Sequence, residues 1–312
     1  IASCLVGSEM CIRDRSISSQ ENIKYQKPSK EILDLVEFER PPSILYDEKK
    51  DFMVFLFRDN YKSITELSAK ELRLGGLRID PKTNIGSRVT YYNNVKIRNL
   101  KNQKSEITQV KGLPKNPKLS NISWSPDQKR IALTNTTETG VELWVLELEN
   151  GSVTKLTEPN LNSNIGSVIN WFSDSENMLV KMISNNRRPL IDTNKIVPDG
   201  PTISTNFGEK AQNRTYQDLL KNKFDEHNFE QLSTSTIYKV SIDGSVKKWM
   251  DDGMYRTISF SPNGEYVMIS QINKPFSYLV TYSRFPTETN IYNKDGDFVS
   301  NLQKVPLIEE LP

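Results

Sequence analysis

Few residues in this chain could do covalent chemistry. Its 312 residues include one histidine, His227, and two cysteines, Cys4 and Cys11. A serine triad needs a histidine base and a nucleophile on a G-x-S-x-G elbow. Gly86-Ser87, Gly151-Ser152, Gly166-Ser167 and Gly244-Ser245 all lack that spacing. His227 lies in Phe224-Asp225-Glu226-His227-Asn228-Phe229 and reads as a surface residue. Asp225, Glu226 and Glu230 read as a solvated acidic patch, without the spacing and central glycine of a Ca²⁺ loop. No spaced His/Asp/Glu set suggests a metal site. The sequence therefore assigns no catalytic residue, no metal and no cofactor within the chain.

The elements that would position chemistry are repeated hairpins. Ile122-Ser123-Trp124-Ser125-Pro126-Asp127 precedes the apolar run Ile131-Ala132-Leu133. Ile169-Asn170-Trp171-Phe172-Ser173-Asp174 precedes Met178-Leu179-Val180, and Ile258-Ser259-Phe260-Ser261-Pro262-Asn263-Gly264 precedes Tyr266-Val267-Met268-Ile269. Pro at the second turn position has its φ already set, and Asx-Gly tolerates the positive φ that closes a turn. Second hairpins follow at Val141–Leu148 with 152–156, Ile237–Val240 with 246–249, and Asn290–Asn293 with 298–299. Four strands so joined make one blade, and the aromatic–Ser-Pro-Asx signature recurs in the same position of successive units. This favours an all-β β-propeller over a β-sandwich. The hairpins amount to four to five blades, an incomplete propeller. Trp124, Trp144, Trp171 and Trp249 read as blade-packing residues.

Composition narrows the classes. There are 41 basic and 39 acidic residues, a net charge of +2, with the two signs interspersed. A nucleic-acid binder needs a clustered basic excess, so none is expected as a partner. No apolar run reaches membrane-spanning length.

The ends read differently from the middle. Leu5-Val6-Gly7-Ser8-Glu9-Met10-Cys11-Ile12-Arg13-Asp14-Arg15 resembles a translated sequencing-library adapter, so Ile1 to Arg15 is set apart as an artefact. Both cysteines fall there, which leaves no disulfide framework and no cysteine nucleophile. Residues 16–27 read as a signal-peptide tail or linker. That favours an exported, periplasmic protein, with the cytoplasm as the alternative. Val305–Pro312 reads as a connection heading into another strand.

Between the ends, residues 28–312 form the partial propeller. Ser29 caps a short N-terminal helix carrying Ile32, Leu33 and Val36. Residues 43–46 and 51–58 form the first hairpin, and a second helix is expected over 63–70. Gly75 to Pro81 reads as a loop, and 95–99 with 106–110 as paired strands. An irregular and helical insertion breaks the repeat at about 185–232, with its helix expected over Thr215 to Lys223.

Several segments resemble one family. They are Pro28–Asp34; Glu71-Leu72-Arg73-Leu74-Gly75-Gly76-Leu77-Arg78-Ile79-Asp80-Pro81 with Asn84, Ser87, Arg88, Tyr91 and Tyr92; Arg214–Leu220; and Lys274–Val280 with Arg284-Phe285-Pro286. In this order they resemble the glutamyl endopeptidase branch of the prolyl oligopeptidase family, known in chloroplasts and bacteria. Thr281 stands where that pattern expects Pro. The resemblance implies an N-terminal propeller that gates a C-terminal α/β-hydrolase domain, whose Ser-Asp-His triad would lie beyond Pro312. The parent protein would be a serine-type peptidase acting on peptides, with a preference for Glu. The chain itself would be an inactive, gating fragment whose partners are peptide substrates and that hydrolase domain. Preference for Glu needs a cation, and Arg matches a carboxylate with a planar fork. Arg78, Arg88, Arg214 and Arg284 lie in the resembling segments and are the substrate-binding candidates, against the alternative that each pairs with a neighbouring carboxylate. The competing class is a non-catalytic periplasmic binding propeller.

Overall fold

The computed structural model describes residues 26–102, 104–192, 195–197, 200, 201, 203, 205, 208 and 215–310. The sequence expectations for 1–15, for most of 16–27 and for Arg214 lie outside them. The chain divides into two units, Ile1–Glu39 and Arg40–Pro312. In the first, helix α1 spans Lys30–Val36 after Ser29, as the sequence predicts. Ser29 has extended backbone and its carbonyl accepts the first helical N–H bonds.

The second unit is built of four-stranded antiparallel meanders. The first blade is β1 (Ser43–Tyr46), β2 (Phe52–Phe57), β6 (Asn94–Asn99) and β7 (Thr108–Gln109). Between β2 and β6 the chain inserts helix α2 (Ile64–Leu67) and a small sheet of β3 (Leu72–Leu74), β4 (Leu77–Asp80) and β5 (Ile85–Gly86). The second blade is β8 (Leu119–Trp124), β9 (Arg130–Thr136), β10 (Val141–Glu147) and β11 (Ser152–Lys155). The third begins with β12 (Ile169–Trp171) and β13 (Asn177–Ile183), continues through helix α3 (Lys223–Ser233) to β14 (Ser235–Ser241), and ends on β15 (Val246–Phe260). The long strand β15 serves two blades. Residues 246–253 pair with β14, while 254–260 pair with β16 (Tyr266–Ile272). Strands β17 (Thr287–Asn293) and β18 (Phe298–Val305) complete the fourth blade. The chain is mostly β with propeller-type blades, as the repeat reading requires.

Strand alternation explains how the blades stack. Phe52, Val54 and Leu56 of β2 pack on Ile131, Leu133 and Leu146 of the second blade. The opposite face of that blade, with Ala132, Leu143 and Val145, packs on Trp171, Met178, Val180 and Met182 of the third. The third meets the fourth through Leu179, Ile237, Tyr255, Ile258, Val267 and Ile269. The period of 2 thus gives each inner blade two buried faces.

Two of the three repeated turns, those with Ser-Pro-Asx, share one bonding pattern. Ser125 Oγ donates to Asp127 and accepts from Arg130 N at 3.0 Å; Ser261 Oγ donates to Asn263 and accepts from Tyr266 N at 3.0 Å. The serine closes the hairpin through its own side chain, which is why the signature recurs.

Three local expectations are corrected. Gly75 to Pro81 is not a loop: Gly75 and Gly76 turn the hairpin between β3 and β4. The second helix is shorter than 63–70, ending at Leu67, and its Ile64 and Leu67 are exposed. The insertion helix starts at Lys223 rather than spanning 215–223. Asp218 has φ of 59°, a conformation that α-helix cannot accept.

Candidate functional site

Antiparallel meanders place all second-to-third strand connections at one end of the blades. Here they are 58–93, 137–140, 184–234 and 273–286. The connections at the other end are all short, including 125–129, 172–176 and 261–265. One end is therefore plain and the other decorated, and function concentrates on such elaborated loops.

The decorations pack on one another. Leu74 and Ile79 from the small sheet, Leu220, Phe229 and Leu232 from the insertion, and Val280 and Phe285 from the last connection form one buried cluster. Phe229 meets Phe276 and Phe285 edge-on, with centroids 5.1 and 5.5 Å away. Tyr282 N donates to Gly75 O at 2.8 Å. A β-carbon on Gly76 would sit 2.7 Å from Thr281 Cγ2, and its φ is +89°. Thr281, the departure from the family pattern, therefore packs on a position where only glycine fits.

A charged lattice ties the same layers. Arg78 Nε donates to Asp218 Oδ2 at 2.6 Å, and Gly76 N donates to Asp218 O at 2.9 Å. Arg73 Nε donates to Glu71 Oε1 at 2.8 Å, and Ser87 Oγ donates to Glu71 Oε2 at 2.6 Å. The Ser87 hydroxyl, with help from Arg73 and Arg78, holds the Glu71 carboxyl below the usual carboxylate range. Segments 71–88, 216–220 and 276–285 thus converge from three parts of the sequence.

The candidate arginines separate in this frame. Arg78 is engaged by Asp218, with Glu71 a further 3.8 Å contact. Arg88 is exposed, bonds none of the described residues, and lines a cleft of about 740 Å³ with Lys62, Arg73 and Lys82. Arg284 is half-buried in a 3₁₀ turn, Tyr282–Arg284, and its Nη1 donates to Glu310 O at 3.0 Å. Arg88 and Arg284 belong to the connections of different blades.

The remaining sequence candidates are held by the scaffold. His227 is half-buried, with Nε2 3.0 Å from Pro189 O. The carboxylates around it are not a free acidic patch. Asp225 accepts from Lys221 N, Glu226 from the Tyr278 hydroxyl at 2.5 Å, and Glu230 pairs with Lys274 at 2.8 Å. Burial, and then that Glu226 contact, push the Tyr278 hydroxyl up to about 12. Among the described residues no cluster of His, Cys, Asp and Glu could hold a metal. No helix among them is long and apolar enough to cross a membrane.

Sequence reasoning missed two cations, the half-buried Arg58, whose Nε is buried, and the buried Lys181. Arg58 follows β2, and Lys181 lies within β13. It also missed the amide network in which Asn84 Nδ2 donates to Asn162 Oδ1 at 2.6 Å and Asn162 Nδ2 to Leu232 O at 2.9 Å. The stripe of alternating residues in each strand was the available signal for both cations.

No protein-family model matches the chain. Over 300 residues it is 31% identical to a probable chloroplastic glutamyl endopeptidase of Oryza sativa subsp. japonica, covering 92% of this chain and 32% of the relative. The Arabidopsis thaliana protein of the same name is 30% identical over 304 residues, covering 92% and 31%. The chain spans about a third of the length of these relatives. Among solved structures, an acylaminoacyl peptidase from Pyrococcus horikoshii superposes with a TM-score of 0.45 at 16% identity, over 88% of this chain and 34% of that one. Prolyl oligopeptidase B from Galerina marginata gives 0.41 at 12% identity, over 85% and 27%. Over 92% of its length the chain is thus similar in sequence to plant glutamyl endopeptidases, the branch that its sequence segments resemble.

Proposed function

We propose that this propeller is the gating part of a serine-type peptidase that cleaves peptides with a preference for Glu. The observation that carries the reading is the convergence of the family-like segments on the decorated end. Glu71–Pro81, the stretch around Asp218, and 274–286 meet there through Arg78, Gly76 and Phe285. A surface assembled from distant segments and offering unpaired guanidinium suits a substrate-facing wall better than a plain structural end. The triad would come from an α/β-hydrolase domain of the same polypeptide, and export to the periplasm completes the proposal.

Within this reading Arg88 is the leading carboxylate contact, because it carries a free fork beside a cleft. Arg284 is second, because one Nη already serves Glu310. Arg78 is a brace, since its guanidinium is committed to Asp218. In the full natural polypeptide, Arg88→Ala is expected to lower the kcat/KM ratio for Glu over Gln peptides by about tenfold or more. That corresponds to the loss of one charge-assisted hydrogen bond, ~1.5–3 kcal/mol. Arg284→Ala should lower it less, and Arg78→Ala should reduce thermal stability while leaving the ratio intact. An unchanged ratio in Arg88→Ala removes that residue from the pocket.

A further inference from the structure

We infer that the cleft at the decorated end of the junction between the first two blades is a carboxylate-binding subsite centred on Arg58, and that it takes an acidic segment of a peptide. The peptide character of the ligand rests on the function proposed above; the anion-binding argument does not.

The inference starts from a strand stripe. Phe52, Val54 and Leu56 point from β2 into the core between the first two blades and are 6%, 0% and 2% exposed. Alternation puts the next member of that stripe, Arg58, on the same face. An apolar residue there would extend the core. Instead, Arg58 Nε is buried and bonds none of the described residues. A guanidinium cannot relieve this by losing a proton, so a buried, unpaired N–H in that position carries a standing free-energy penalty. A ligand acceptor would remove it.

The surroundings select the acceptor. The cleft measures about 800 Å³, and Arg40, Lys62, Lys118, Tyr61 and Tyr91 line it with Arg58. Its four cations face two carboxylates, Asp59 and Glu66. Both carboxylates have partners. Asp59 Oδ1 accepts from Asn93 Nδ2 at 2.8 Å, and Glu66 accepts from Ser63 N at 3.0 Å and lies 3.5 Å from Lys118 Nζ. Lys62 Nζ donates to Ser87 O at 3.1 Å. Arg58 and Arg40 remain, one half-buried and one exposed, neither paired with a described residue. A planar fork matches a carboxylate with two parallel bonds. The aromatic walls give the aliphatic stem of a Glu side chain apolar contact. A dianionic phosphate would instead face Asp59 and Glu66 across the same space. The volume lies within the range of small-ligand sites.

The test is equilibrium binding to the full natural polypeptide, with its peptidase serine blocked by a fluorophosphonate. Fluorescein-labelled hexaglutamate is the probe, and hexaglutamine the control, read by anisotropy. Hexaglutamate is expected to bind at least tenfold more tightly than hexaglutamine. Arg58→Met should weaken hexaglutamate binding at least tenfold, and Arg58→Lys should restore only part of it. Melting supplies a readout that a structural arginine would move the other way. Removing an unpaired buried donor leaves the Tm of Arg58→Met equal to or above that of the parent. Equal binding of the two peptides, undiminished binding in Arg58→Met and Arg58→Lys, or displacement of the probe by inorganic phosphate but not by glutamate would overturn the subsite. Cleavage after Glu that survives with no Arg58-dependent binding sinks the subsite and spares the peptidase reading. Arg58-dependent binding by a polypeptide without peptidase activity does the reverse.

Discussion

Replacing Lys181 by Met is expected to stabilise the protein at pH 6 and to flatten its rise in stability between pH 7 and pH 10. Lys181 shares the face of β13 that carries Leu179 into the junction of the third and fourth blades. It is 2% exposed. Its ammonium donates to the carbonyls of Ile165 and, at 3.5 Å, Tyr255. Among the described residues no carboxylate is a hydrogen-bond or ion-pair partner of it. Burial without a counter-charge pulls the ammonium down to about 7 from its ordinary 10.5. The unfolded chain keeps the proton to about 10.4. Between those values the unfolded state binds more protons, so stability climbs with pH across this window. Below pH 7 both states are charged, and the cost of burying the cation is felt in full. The interval is worth on the order of 5 kcal/mol at roughly 1.4 kcal/mol per pH unit.

Methionine fills a similar space without the charge, though it leaves two carbonyls short of a donor, at about 1–2 kcal/mol. Lys181→Met should therefore gain ~3 kcal/mol at pH 6 and lose about 1 kcal/mol at pH 10. Urea midpoints at pH 6, 8 and 10 check this. Parallel curves for the two proteins would show that Lys181 does not titrate in the folded state within this range. Measurements should stop near pH 10. Above it the unfolded hydroxyls ionise while Tyr255 and Tyr278, raised by burial, stay neutral in the folded protein, so stability falls as pH rises.

The same junction supplies the second large effect. Gly166 has φ of +57°, and a β-carbon there would lie 2.1 Å from Arg256 O. Arg256 sits at the register shift where β15 passes from one blade to the next. Both obstacles are backbone features, so no rotamer change relieves them. Gly166→Ala combines a left-handed conformation, ~1–2 kcal/mol, with overpacking, ~1–3 kcal/mol. A loss of about 3 kcal/mol is expected, against a total stability of roughly 5–15 kcal/mol for an ordinary domain. Thermal melting of Gly166→Ala beside Gly244→Ala separates the two terms. Gly244 also has positive φ, 87°, but open space around it. Equal Tm losses in the two variants would mean that the Arg256 contact yields.

Local chemistry made the blades legible. The Ser125 and Ser261 turns are closed by groups within five residues of each other, and the flanking strands alternate. The decorated end was legible in outline only. The stretch Tyr216, Leu219 and Leu220 has helical spacing, and Tyr216 and Leu220 do pack in the buried cluster, while Leu219 is buried outside it. They do so from irregular backbone, because Asp218 is turned to φ 59° while Arg78 and Gly76 hold it from 140 residues away. Gly75-Gly76 likewise looks like a loop until Phe229 and Thr281 close around it. The free cation Arg58 was hidden for the same reason. Its stripe is visible in the sequence, but Lys118 and Tyr91, which shape its cleft, belong to other segments. Of the candidate arginines, residue type and family position could not tell Arg78, already committed to Asp218, from Arg88, which is open.

The most direct test of the central claim is to read the source gene onward from the Pro312 codon. A propeller that gates a serine peptidase predicts that the frame continues through further blades into a G-x-S-x-G elbow, followed by an Asp and a His. A frame that closes without such an elbow would contradict it. The chain would then be a binding propeller that shares its family's gate but not its chemistry.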